Sequence, residues 1–69
     1  MTEYVSNNLS NLRKKKRITQ EELSRAVGVS RQTIVAIEKG NYSPSLLLGI
    51  KIARFFGKTV EDVFIYKQQ

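Results

Sequence analysis

The sequence predicts a small all-α domain of five helices, and three observations carry the prediction. Helix-start residues recur at Thr19, Ser30, Ser43 or Ser45, and Thr59. Glycines (Gly28, Gly40, Gly57) close the apolar runs that follow those starts. Strand signals are weak, with no sustained apolar/polar alternation. Sixty-nine residues make a single domain, 1–69, whose core must be compact.

The first helix is expected from Val5 to about Lys16, because Val5, Leu9 and Leu12 share one face and a basic run fills the last turn. The second opens at Thr19. Thr19 and Glu22 have the spacing of a capping box, and Ile18 and Leu23 that of a hydrophobic staple. Leu23, Ala26 and Val27 form its inner stripe, and Gly28 ends it. Ser30 then caps a third helix, with Val29 and Ile34 repeating the staple, and Gly40 stops it. So short a turn, Gly28-Val29-Ser30, suits two helices crossing steeply, a helix-turn-helix over about residues 19–39. Pro44 is expected in the first turn of a fourth helix that faces inward through Leu46, Ile50, Ala53 and Phe56. Thr59 caps a short fifth helix carrying Val60, Val63 and Phe64.

Composition narrows the function. Twelve Lys and Arg against six acids give a net charge of +6, and eight of the twelve lie between Arg13 and Lys39. Basic surface of that density favours polyanions. The run Arg13 to Arg17 reads either as a solvated helix face or as a binding patch. With neither Cys nor His, disulfides and the usual zinc sites are excluded, and no metal or cofactor is expected. The longest apolar run, Val63 to Tyr66, cannot span a bilayer, and the N-terminus has no secretory pattern. The expectation is a soluble cytoplasmic protein with no membrane partner. The carboxylate pairs Glu21-Glu22 and Glu61-Asp62 sit in first helical turns, where the helix dipole already favours acids. No phosphate loop, nucleophile elbow or metal spacing accompanies them, so no enzyme is expected.

On a helix of 3.6 residues per turn, Ile34 and Ile37 fall on one side of the third helix. Gln32, Val35, Ala36 and Lys39 fall on the other, with Arg31 at the margin. Hydrogen-bonding side chains at the start and small apolar ones in the middle suit a DNA major groove. Arg can bond O6 and N7 of guanine, Gln can bond N6 and N7 of adenine, and an Ala or Val methyl can touch the thymine methyl. Polar exposed faces are also commonplace, and it is the short turn, double staple and basic chain that favour DNA.

The segments "LRKKKRITQEELSRAVGVSRQTIVAIEKGNYSPSL" and "KIARFFGKTVEDVF" resemble the Cro/repressor-type, or XRE-like, helix-turn-helix family over about Asn8 to Phe64. The resemblance implies a compact five-helix lambda-repressor-like fold and a transcriptional regulator. Such a regulator, commonly a repressor, binds palindromic double-stranded DNA as a homodimer. By position it places Arg31, Gln32, Thr33, Val35 and Ala36 against bases. Arg17, Thr19, Gln20, Lys39, Asn41, Tyr42 and Ser43 fall on the sugar-phosphate backbone. It also implies a structural salt bridge between Arg13 and Glu38.

Leu47 and Leu48 stand where the family usually carries polar residues, Phe55 where a small one is usual, and Gly49 where a larger apolar one is. Leu48 and Phe55 then extend the inner stripe of the fourth helix, either as a wider core or as an exposed strip that joins Ile65 and Tyr66 in pairing two subunits. A second function stays open, that of an antitoxin-like module that neutralises a protein partner and regulates its own operon. Since only "IYKQQ" follows Phe64, that partner is expected on the folded body.

Overall fold

The computed structural model describes residues 2–69. Its elements run β1 (Glu3–Asn7), α1 (Leu9–Lys15), α2 (Gln20–Val27), α3 (Arg31–Glu38), α4 (Leu46–Phe55), α5 (Val60–Val63) and β2 (Phe64–Gln68). The five helices are present, but the domain is not all-α. The two ends of the chain pair as an antiparallel ribbon in which Val5 faces Tyr66 and Asn7 faces Phe64.

That ribbon corrects both ends of the sequence reading. Val5 lies in β1, and α1 begins only at Leu9. Asn7 marks the boundary, its Oδ1 accepting from the Leu9 N–H at 3.1 Å while the Asn8 N–H donates to the Val63 carbonyl at 3.1 Å. Ile65 and Tyr66 are strand residues. Their partners are some sixty positions away in sequence, out of reach of any local pattern.

The central helices follow from their caps. Thr19 and Glu22 make the reciprocal capping box, and Gly28, at φ 78°, turns the chain out of α2. Ser30 Oγ accepts from the Thr33 N–H and starts α3. Ala26 does not join the inner stripe of α2; it is exposed, and Ser24 is buried in its place with its hydroxyl donating to the Glu21 carbonyl at 2.7 Å.

The phase of α4 also differs from expectation. Ser45 is its N-cap, so Pro44 lies before the helix and not in its first turn. Leu46 and Ile50 face outward, 75% and 37% exposed, while Leu48, Gly49, Ile52 and Ala53 are buried. Leu48 therefore belongs to the core, as a wider core requires, and not to an exposed strip; Phe55 is half-buried, edge-on to Phe56 with ring centroids 5.0 Å apart. The core itself joins Leu9, Leu23, Val27, Ile34, Ile37, Leu48, Ile52, Ala53 and Val63, drawing on all five helices. Each fully buried aliphatic contributes about 1.5–3 kcal/mol relative to exposure.

Candidate nucleic-acid interface

The α2–α3 pair places α3 at the surface with one side fixed. Ile34 and Ile37 are buried, whereas Arg31, Gln32 and Lys39 are exposed and Thr33, Val35 and Ala36 are half-buried between them. All the residues read from sequence as base contacts thus border one outward face.

Behind that face, Glu38 is gripped from two elements. Arg13 of α1 sets Nε at 2.7 Å from Glu38 Oε2 and Nη2 at 3.1 Å from Oε1, and its Nη1 donates to the Ile18 carbonyl at 3.0 Å. Gln20 of α2 donates to the same Oε1 at 3.1 Å. The pair is largely removed from water, with side chains 12% and 8% exposed. Burial alone would push the Glu38 carboxyl up. The hydrogen bonds from Arg13 and Gln20, with the charges of Arg13 and Lys14, outweigh it and hold the group below the usual carboxylate range. The Glu38 hydrogen bond in turn raises Arg13, which stays charged. Gln20, read from sequence as a phosphate contact, has its amide nitrogen committed to this buttress.

The two flanks of the reading face differ in chemistry. On the Arg31 side, Arg13, Lys14, Arg17, Ile18, Thr19, Gln20, Glu21 and Arg31 line an open recess of about 520 Å³ at the start of α2. Four cations there outnumber the one carboxylate, Glu21, beside the N-terminal end of a helix, an arrangement whose charge suits an anion. Arg17 ends α1 in a left-handed conformation, φ 60°, with its N–H on the Lys14 carbonyl. On the other side, Ser30, Gln32, Thr33, Ala36 and Tyr42 line a second recess of about 270 Å³.

Tyr42 reaches that position through the helix stop. Gly40, at φ 79°, lets its own N–H bond the Ile37 carbonyl and the Asn41 N–H bond the Ala36 carbonyl, folding the chain back beside α3. Lys39 and Ser43 do not gather with either recess; they line a separate cleft against β1 with Glu3 and Asn7. Lys14 and Ser30 line these recesses without having been singled out from sequence as contacts, Lys14 being read only within the basic run and Ser30 only as a cap. Asn7 was missed for a different reason. Its Nδ2 donates to the Ile37 carbonyl at 2.8 Å, across thirty positions, and nothing local signals it. Among the described residues no group of His, Cys, Asp or Glu is arranged to hold a metal, and no helix is long and apolar enough to cross a membrane.

Comparison with known proteins bears on the fold and the family. The helix-turn-helix family model matches residues 9–63. A protein of Methanocaldococcus jannaschii, named as an uncharacterised HTH-type transcriptional regulator, is 56% identical over 63 residues, 91% of this chain and 96% of its own. YgzD of Bacillus subtilis, named likewise, is 46% identical over 65 residues, 94% and 98% of the two chains. RstR, a cryptic phage CTXphi transcriptional repressor from Vibrio cholerae, is 34% identical over 58 residues, 84% of this chain and 52% of its own. The crystal structure of ClgR, the clp gene regulator of Corynebacterium glutamicum, superposes with a TM-score of 0.72 at 30% identity. The match covers 78% of this chain and 57% of that one, so this chain spans little more than half of ClgR. Matched over most of its length by the family model and by regulators of nearly its own size, the chain belongs to the XRE-type helix-turn-helix family of DNA-binding transcriptional regulators.

Proposed function

We propose that the protein is a cytoplasmic repressor that binds an inverted-repeat operator as a homodimer, with α3 of each copy in the major groove. The observation that carries this reading is the face of α3. Arg31, Gln32, Val35 and Ala36 border a surface backed by a rigid ion pair and flanked by a cationic recess. Arg31 and Gln32 supply bidentate hydrogen bonds to purines, each worth about 1–3 kcal/mol of discrimination, and Val35 and Ala36 supply apolar contact. Arg17, Lys14 and the amides at the start of α2 take phosphate, while Lys39, Asn41 and Ser43 take the backbone further along. A repressing role rests on the likeness to RstR, named as a repressor.

The second copy belongs on the apolar surface around Val5, Leu46, Ile50, Val60 and Phe64. Val5, Leu46 and Ile50 are large exposed hydrophobics, and a shallow apolar groove of about 150 Å³ runs among Val5, Pro44, Leu46, Gly49, Val60 and Phe64. Tyr66, 61% exposed and paired with Val5 across the ribbon, extends the surface, whereas Ile65, paired with Ser6, lies on the opposite face of β2. Leu48, being buried, cannot take part, and Phe55 contributes at most an edge.

Selection from fragmented genomic DNA at physiological salt, with excess non-specific competitor, tests the reading. An inverted repeat with half-site centres about one helical turn apart is expected. Analytical ultracentrifugation of Leu46→Glu, expected to be monomeric and to bind the full operator weakly, tests the dimer surface. Recovery of no shared motif overturns the operator reading, and a Leu46→Glu dimer as tight as the parent overturns the surface.

A further inference from the structure

We propose that the recess between α3 and Tyr42 is a thymine-methyl site, so that Tyr42 selects a base and is not merely a backbone contact. The inference rests on the operator-reading function above and assigns one part of the operator to one part of the surface.

Five residues line the recess: Ser30, Gln32, Thr33, Ala36 and Tyr42. Three of them supply apolar surface. Ala36 offers only a methyl group, and Tyr42, 48% exposed, offers a ring beside it. Thr33 has its hydroxyl in a hydrogen bond with the Ser30 hydroxyl at 3.1 Å, which leaves the γ-methyl as its free group. Gln32, exposed, also lines the recess, and among the described residues its amide enters no hydrogen bond of the fold.

Among the four bases, thymine alone presents a methyl group in the major groove, beside an O4 acceptor. An apolar hollow with an amide donor at its edge matches that pair of groups. The methyl enters between Ala36, Thr33 and the Tyr42 ring, and the Gln32 amide donates to O4 or to the neighbouring base. Cytosine brings a hydrogen in place of the methyl and a donor in place of O4, so it leaves the hollow empty and turns donor against donor.

The position of Tyr42 is also built in. The Gly40 turn, with the Asn41 N–H on the Ala36 carbonyl at 2.9 Å, ties the start of the loop to the helix residue that floors the recess.

The test uses the selected operator as synthetic duplexes in which each thymine in turn is replaced by deoxyuridine, a change that removes one methyl and nothing else. One thymine per half-site is expected to respond, with affinity falling about fourfold per half-site, the worth of one buried methyl group. In Tyr42→Ala the thymine-to-uracil ratio at that position collapses toward one, whereas in Tyr42→Phe, which keeps the ring, it persists. Thr33→Ser, which keeps the hydroxyl bonded to Ser30 but lacks the γ-methyl, gives an intermediate ratio. Circular dichroism melts of the variants exclude unfolding as the cause. If no thymine responds, or if Tyr42→Ala weakens thymine and uracil operators equally while the ratio stays, the methyl site is wrong although the operator reading stands. If selection yields no operator, both fall together.

Discussion

Replacing Glu38 with Gln should remove most of the stability of this domain without touching the DNA face. The carboxylate receives two hydrogen bonds from Arg13 and one from Gln20, and the side chains of the ion pair are only 12% and 8% exposed. In Glu38→Gln the shape is kept, but the Arg13 guanidinium is left charged, mostly dry and short of its counter-ion. Exposed pairs are worth at most about 1 kcal/mol. Breaking one side of a buried pair instead costs about 3–5 kcal/mol, because a charge stays behind. A chain of this length has roughly 3–10 kcal/mol in total, so the variant should be marginal at room temperature. Urea unfolding at neutral pH, followed by circular dichroism, reads the change directly. The double replacement Arg13→Met with Glu38→Leu, which removes both charges, should cost less than Glu38→Gln alone. A loss under about 1 kcal/mol would place the bridge with surface pairs and refute the claim that it anchors α3.

The same carboxylate gives the protein an acid limit. Glu38 is held below its unfolded value, so its contribution is present above about pH 4.3 and lost as the pH falls through the folded value. Asp62, lowered by the Thr59 N–H of its capping box, adds in the same direction. Urea midpoints should therefore drop between neutral pH and pH 3, with a shallower fall in Glu38→Gln. Arg17→Gly should stabilise the fold and weaken DNA binding together. A non-glycine residue at φ 60° costs about 1–2 kcal/mol, partly offset by the greater freedom of glycine in the unfolded chain. A higher melting temperature is expected, with a slope of log affinity against log salt reduced by about 0.9 per site. Asn7→Ala loses the bonds to the Ile37 carbonyl and the Leu9 N–H, about 1 kcal/mol each. Hydrogen exchange should quicken at the end of α3 and across β1, and leave the first turn of α3 unchanged.

What was legible in the sequence is what is local. The cap, box and staple of α2 each close within five residues of Ile18, and the stop at Gly28 needs only its own backbone, so the helix-turn-helix could be drawn without tertiary information. The terminal ribbon could not. Val5 stands at a helical spacing from Leu9, and the pairing that overrides it comes from Tyr66. In α4 the difficulty is excess signal. Leu46, Leu47, Leu48, Ile50, Ile52 and Ala53 offer two apolar faces, and periodicity does not choose between them. The structure turns Leu48, Gly49, Ile52 and Ala53 inward; a Cβ at Gly49 would meet the Phe64 ring at 3.8 Å, an ordinary contact, so the glycine does not itself force that choice. At the candidate site, the reading positions followed from the helix period. Their two flanks did not: Arg17 and Tyr42 came only from the family resemblance and Lys14 only as part of the basic run, because turns bring them beside α3.

This division of labour separates specificity from stability along α3. Ile34, Ile37 and Glu38 bind the helix to the body, through the core and through Arg13, Gln20 and, by the Ile37 carbonyl, Asn7. Arg31, Gln32 and Lys39 are exposed, and among the described residues their side chains make no hydrogen bond or ion pair within the fold that replacement would break. Thr33 is the exception on the outer side, since its backbone N–H donates to the Ser30 cap and its hydroxyl meets the same residue. On the proposed reading, changes at positions 31 and 32 can therefore alter the DNA sequence read at nearly constant stability and a change at Lys39 alters affinity for the backbone, whereas a change at Thr33 perturbs both the start of the helix and the recess beside it. An operator preference in this fold is free to drift at the exposed positions and is held where the cap and the reading face share a side chain.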